Sequence, residues 1–273
     1  RFTCASAMSS SHNWLYEKIF TRFFNRIQWE TTDRDHLSRA AKTGTLIYVV
    51  EHIGQLEYQY FNHLFVSLGI PLAAFAPHIY TRRWMPWRKM FRTIRAQSDT
   101  ILKKGELPHP VASGYLAQLI TRGESILIAV SPGDVADESL FITNAYEPIV
   151  AAMHAGVRST RPLFFVPLEF VWDRRPASAE RGLIDILFGE KENPGALRKI
   201  VLFWRNYKHR AVVRIGRPIT MSDFIHHDNP SAFEEQSKQL QNALSEAIRI
   251  EHRTVTGPPF RPRCWFIEHV LAD

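Results

Sequence analysis

Residues 45–68 read TLIYVV-EHIG-QLEYQYFNHLFVSL, and this stretch decides the fold class. Thr45, Leu46, Ile47, Tyr48, Val49 and Val50 form an apolar, β-branched run of strand length, which predicts a buried strand. Glu51, His52, Ile53, Gly54 and Gln55 make a polar corner. Beyond it Leu56, Tyr60, Phe61, Leu64, Phe65 and Leu68 recur near helical spacing, which predicts a helix. Strand, tight corner and helix make the α/β unit whose reactive groups gather at the carboxyl ends of the strands. His52 lies in that corner, and Glu57 lies in the first helical turn, close enough in sequence for imidazole and carboxylate to touch. The H-x4-E spacing is weak by itself, because the chain holds 12 His and repeats the pattern at His12 and Glu17. The alternative for His52 is a polar residue closing the end of a strand.

Working outward, the chain of 273 residues suits one large α/β domain or a domain with an appendage. Hydrophobic residues make up 45%, enough for a sizeable core, and the formal net charge of +7 points to anionic partners. Nucleic acid, anionic lipid and phosphorylated metabolites share that property. No zinc-finger spacing or RNA-binding signature supports nucleic acid. Two cysteines at opposite ends, Cys4 and Cys264, give no disulfide framework and no Cys-rich metal site. No apolar run approaches the ~20 residues of a spanning helix.

Residues 13–28 predict an amphipathic helix with Leu15, Ile19, Phe20, Phe23 and Ile27 on one face and Lys18, Arg22 and Arg26 on the other. It packs on the domain or lies in a membrane interface; the pattern fits both. A second short helix is expected over residues 33–42, a short strand over 72–75, a helix over 111–122 and a strand over 125–130. A helix over 145–155, a strand over 163–171 broken at Pro167, a helix over 194–207 and a strand over 211–215 follow. Residues 216–219 are expected to turn the chain away. Ser231 and Glu234 make a capping box for a helix to about residue 250. Residues 82–95 are the most basic and aromatic segment, with Trp84, Trp87, Arg92 and Arg95. Trp beside Arg and Lys suits a membrane–water boundary, Arg suits phosphate, and a solvated surface is the plainer reading. There is no P-loop, no G-x-G-x-x-G and no G-x-S-x-G.

The order of these landmarks over residues 40–265 resembles the glycerol-3-phosphate acyltransferase branch of the lysophospholipid acyltransferase superfamily. Residues 44–62 resemble its strand and H-x4-D block. Residues 110–116 resemble a helix start of a bacterial branch. Residues 163–176 resemble a strand with a mid-strand proline followed by Trp-Asp-Arg-Arg-Pro, and 211–219 a closing strand with a Gly-x-Pro-Ile turn. The resemblance implies an N-terminal helical element (1–43), an acyltransferase-like α/β domain (44–256) with a mixed sheet flanked by helices, and a C-terminal linker (257–273). It also implies that the chain is a piece of a longer protein.

The resemblance further implies O-acyl transfer from acyl-CoA or acyl-carrier protein to glycerol 3-phosphate or a related acceptor. The site would lie at the cytoplasmic face of an anionic membrane, with no metal, no cofactor and no nucleic acid. His52 would be the general base and Glu57 its orienting carboxylate. Arg92 or Arg95 would meet the acceptor phosphate, and Ser131, Gly133 and Pro167 would complete the substrate-binding set. Two departures mark this chain. Glu57 stands where the family has Asp, and a misplacement of ~1 Å can cost ~100-fold in rate. The corner 131–137 carries no Arg and is net negative, unlike the family's acceptor block. These departures give the alternative: a catalytically degenerate acyltransferase-like domain that binds lipid or scaffolds a partner.

Overall fold

A computed structural model of the chain describes residues 7–10, 21, 24–25, 27–76, 91, 95, 111, 113–130, 146–172, 211–225 and 233–256. Its centre is strand β2, Thr45–Val50, where all six residues are buried, as expected of a strand covered on both faces. The preceding strand β1 is Gln28–Thr31, and helix α1, Arg34–Thr43, lies between them. Asp33 caps α1, its carboxylate accepting from the His36 N–H at 2.8 Å. Gly44 joins α1 to β2 where a Cβ would meet the Pro162 carbonyl oxygen at 2.4 Å, so the chain passes there only without a side chain. Helix α2, Gln55–Leu68, ends at Gly69, which takes the left-handed conformation (φ 65°) common after helices.

Helix α3 (Tyr115–Thr121), strand β3 (Ile126–Ala129), helix α4 (Tyr146–Val157) and strand β4 (Leu163–Trp172) follow. Then come β5 (Ala211–Ile215), β6 (Ile219–Thr220) and helix α5 (Phe233–Thr256). The sheet is mixed, in the order β1-β5-β4-β2-β3, with β6 also paired to β4. β2 runs parallel to both of its neighbours, β3 and β4, β5 runs antiparallel to β4, and β1 is parallel to β5. Side-chain alternation sends Leu46, Tyr48 and Val50 to the face covered by α1 and α2. Ile47 and Val49 go to the face covered by α3, α4 and α5. The expected α/β class with a mixed, helix-flanked sheet is therefore present.

Four local expectations differ, the first being the break at Pro167, which β4 passes without interruption. Residues 28–31 form a strand within the stretch read as helical. They are short and polar because β1 is a sheet edge, paired only to β5 among the described residues. Residues 72–75 lie along β3 without joining the ladder, through Ala74 N–H to Ser125 O (2.7 Å) and Leu127 N–H to Phe75 O (2.8 Å). After Gly216 the chain does not turn away. It continues along β4, where Ile219 and Thr220 pair with Phe165 and Phe164. The expected helix over 194–207 and the linker over 257–273 lie outside the described residues, as do most of residues 13–28 and 82–95.

Candidate functional site

β2 stops at Val50, opposite Leu168 of β4, while β4 runs on to Trp172 along β5. The corner 51–54 therefore sits beside the second half of β4, at the carboxyl ends of the parallel strands. His52 and Glu51 are both exposed there. Glu57 is buried in the first turn of α2. Among the described residues no hydrogen bond or ion pair joins His52 to Glu57.

A different pair is joined. Glu169, buried in β4, faces His252 of α5, with Nδ1 and Oε1 2.8 Å apart. The His252 side chain is 47% exposed, so the ring spans from a dry carboxylate to the surface. Burial pushes the Glu169 carboxyl above its usual range. The hydrogen bond and charge of His252 pull it back, Glu51 pushes it further up, and His52 pulls it down. Glu169 is thus bonded to one imidazole, His252, and within electrostatic reach of a second, His52.

The residue before His252 fixes the helix. Glu251 accepts from Arg214 Nε at 2.9 Å and from the Thr32 hydroxyl at 2.6 Å. Arg214 also meets Glu30. β1, β5, β4 and α5 are tied together by this polar row on the α5 face of the sheet. Sequence reading missed both Glu169 and His252. Glu169 hides in an otherwise apolar strand, and His252 lies beyond the expected helix end, 83 residues away.

The remaining predicted residues are dispersed. Pro167 is buried mid-strand in β4, register partner of Val49. Its carbonyl accepts from Gly216 N–H at 2.9 Å, and a Cβ on Gly216 would come within 2.8 Å of its ring. In extended backbone a residue's nitrogen and carbonyl point to the same side. The missing N–H of Pro167 therefore faces residues 216–218, where the ladder between β5 and β6 is interrupted. Its place is thus accounted for by the sheet. Arg95 is exposed in a helical segment. Arg92, Ser131 and Gly133 lie outside the described residues.

A cavity of about 490 Å³ on the opposite face is lined by Trp29, Arg34, Lys42, Leu68 and Ile70 among others, and it shares no residue with the histidine cluster. Chemistry, rather than size, singles out the carboxyl-end cluster: a neutral imidazole held by a carboxylate is a competent base near pH 7. Among the described residues no group of three or more His, Cys, Asp or Glu converges to hold a metal ion, and no helix is long and apolar enough to cross a membrane. Comparisons with protein-family models, with curated proteins and with solved structures found no match.

Proposed function

We propose that the chain is an O-acyltransferase domain of glycerolipid synthesis. It moves a fatty acyl group from an acyl thioester, acyl-CoA or acyl-carrier protein, to a hydroxyl of glycerol 3-phosphate or a related acceptor. An imidazole takes the hydroxyl proton as that oxygen attacks the thioester carbonyl. The tetrahedral adduct then collapses, the C–S bond breaks, and the thiolate leaves with the proton. The reaction needs neither a metal nor a covalent enzyme intermediate.

One observation carries the reading. Residues 45–50, 163–172 and 211–219, three of the stretches that resemble the acyltransferase superfamily, lie side by side in one sheet, with imidazoles at its carboxyl edge. The net charge of +7 and the exposed Phe91 and Arg95 in a helical segment suit work at an anionic membrane surface. The test is incubation of the purified chain with labelled acyl-CoA or acyl-carrier protein and a panel of glycerol-based acceptors. Labelled ester is the expected product.

The lack of a hydrogen bond or ion pair between His52 and Glu57 among the described residues favours a second reading, a domain that keeps the fold but binds lipid or scaffolds a partner. Binding to vesicles without ester formation from any donor and acceptor pair would establish that reading and end the first.

A further inference from the structure

The cavity on the face covered by α1 and α2 has cationic and apolar walls and no acidic one. Arg34, Leu37, Ser38, Ala41 and Lys42 form its α1 wall; they are spaced three and four apart and therefore share one face of the helix. Arg34 and Lys42 are eight residues apart, about 12 Å along the helix axis, so a cation stands toward each end of that wall. Leu37 and Ala41 present carbon between them, and Leu68 and Ile70 present it from the end of α2. No aspartate or glutamate lines the space. Among the described residues neither cation forms an ion pair. The Arg34 guanidinium lies over the Trp29 ring, 5.9 Å from its centroid, a contact that leaves its charge and its donors for an anion. Thr31, two residues beyond Trp29 in β1, lines the same space, and its buried hydroxyl has no hydrogen-bond partner among the described residues. Carbonyls that would repel an anion are engaged elsewhere. Those of Phe65 and Val66 accept from Ile70 and Gly69, and that of Pro71 accepts from the Tyr48 hydroxyl at 2.6 Å.

We propose that this cavity binds a monomeric amphipathic anion, an aliphatic body with a carboxylate or phosphate head. The head meets Arg34 and the Thr31 hydroxyl beside Trp29, and the chain lies along Leu37, Ala41, Leu68 and Ile70 toward Lys42. Lys42 adds positive potential at the far end without holding the head. The volume of about 490 Å³ falls within the ~300–1,000 Å³ of small-molecule sites, which are mostly apolar with a few placed polar groups. Cations alone would suit any anion, and carbon alone any apolar chain; the two together select a molecule that has both. The site shares no residue with Glu169 and His252, or with the corner at His52, and it stands whether or not the chain transfers acyl groups.

Calorimetric titration of the whole chain with decanoate and with decyl phosphate, each below its micellar concentration, tests this. One site is expected, and the tighter of the two ligands identifies the head. Decyltrimethylammonium, which has the chain without the anion, and inorganic phosphate, which has the anion without the chain, should each bind at least about tenfold more weakly. The indole ¹H–¹⁵N signal of Trp29, assigned by its loss in Trp29→Phe, should move during the titration. Ser38→Trp, at an exposed position of the α1 wall, should fill the cavity and abolish binding with the circular dichroism spectrum unchanged. Arg34→Gln should lower affinity about tenfold, as for loss of a charge-assisted hydrogen bond, and Lys42→Gln should lower it less. Thr31→Val, which keeps the shape and removes the hydroxyl, should also weaken binding. No binding of either decyl anion overturns the proposal, as does equal binding of the cationic and anionic chains or of inorganic and decyl phosphate. Binding that persists in Ser38→Trp, or that leaves the Trp29 signal in place, puts the ligand elsewhere and overturns it too.

Discussion

Replacing Arg214 by Met tests how α5 is held over the sheet. Arg214 is 13% exposed and its Nε lies 2.9 Å from Oε2 of Glu251, which is 8% exposed. Its contact with Glu30 is at the surface, since Glu30 is 63% exposed, and exposed pairs contribute only about 0–1 kcal/mol. Met keeps the length of the aliphatic stem and removes the cation. Glu251 is then a buried carboxylate that keeps, among the described residues, the Thr32 hydroxyl at 2.6 Å as its donor. Breaking a buried pair from one side costs about 3–5 kcal/mol, against about 5–15 kcal/mol for the stability of a whole domain. Arg214→Met should therefore lose about that much in urea unfolding followed by circular dichroism. The double variant Arg214→Met/Glu251→Leu removes both charges and should recover most of the loss, because a buried pair replaced by apolar groups is often neutral. The Thr32 hydroxyl, left without its acceptor, limits the recovery by about 1–3 kcal/mol. A loss under about 1 kcal/mol in the single variant, or a double variant no more stable than the single, would refute the reasoning, because both magnitudes follow from the burial of Glu251.

Gly44→Ala should destabilise by about 1–3 kcal/mol, because its Cβ would sit 2.4 Å from the Pro162 carbonyl oxygen and 2.5 Å from the Phe164 ring. A variant that unfolds at the wild-type urea midpoint contradicts that close approach. The Glu169 carboxyl titrates above its ordinary 4.5, chiefly through burial. Below 4.5 it is protonated in both the folded and unfolded states. As pH rises through the folded value, the unfolded chain gives up the proton freely and the folded chain resists, so stability is lost. Glu169→Gln should accordingly gain on wild type as pH climbs from 4.5 through that window, and a difference that ignores pH refutes it. The chain should sediment with anionic vesicles more than with neutral ones and release at high salt, each basic residue near the surface contributing about 1 kcal/mol; binding indifferent to lipid charge and salt removes the electrostatic account.

Much of the fold was legible because it rests on local signals. β2 was read to the residue from its β-branched run, α1 was expected as a short helix over 33–42, and α2 was read from the return of Leu and Phe at helical spacing. β1 was not legible. Four residues, Gln28 to Thr31, carry too little alternation, and an edge strand needs little apolar character. β6 was hidden because Gly216 and Pro218 spell a turn, whereas here they carry the chain past Pro167 and back onto β4. In the site, His52 was legible as a residue at a strand end. That no hydrogen bond joins it to Glu57 was not, since sequence spacing fixes proximity along the chain and says nothing of side-chain contact. Glu169 and His252 had no local signature at all. A single acidic residue in an apolar strand and a histidine late in a charged helix become a pair only when β4 and α5 pack, a contact that no motif encodes.

The central claim, acyl transfer to an acceptor hydroxyl, is tested most directly by the stoichiometry of thiol release. Wild-type chain is mixed with acyl-CoA, and free thiol is counted with and without glycerol 3-phosphate. The account predicts release that depends on the acceptor, with one acyl ester formed per thiol. Release that is unchanged by the acceptor, or thiol without ester, contradicts it.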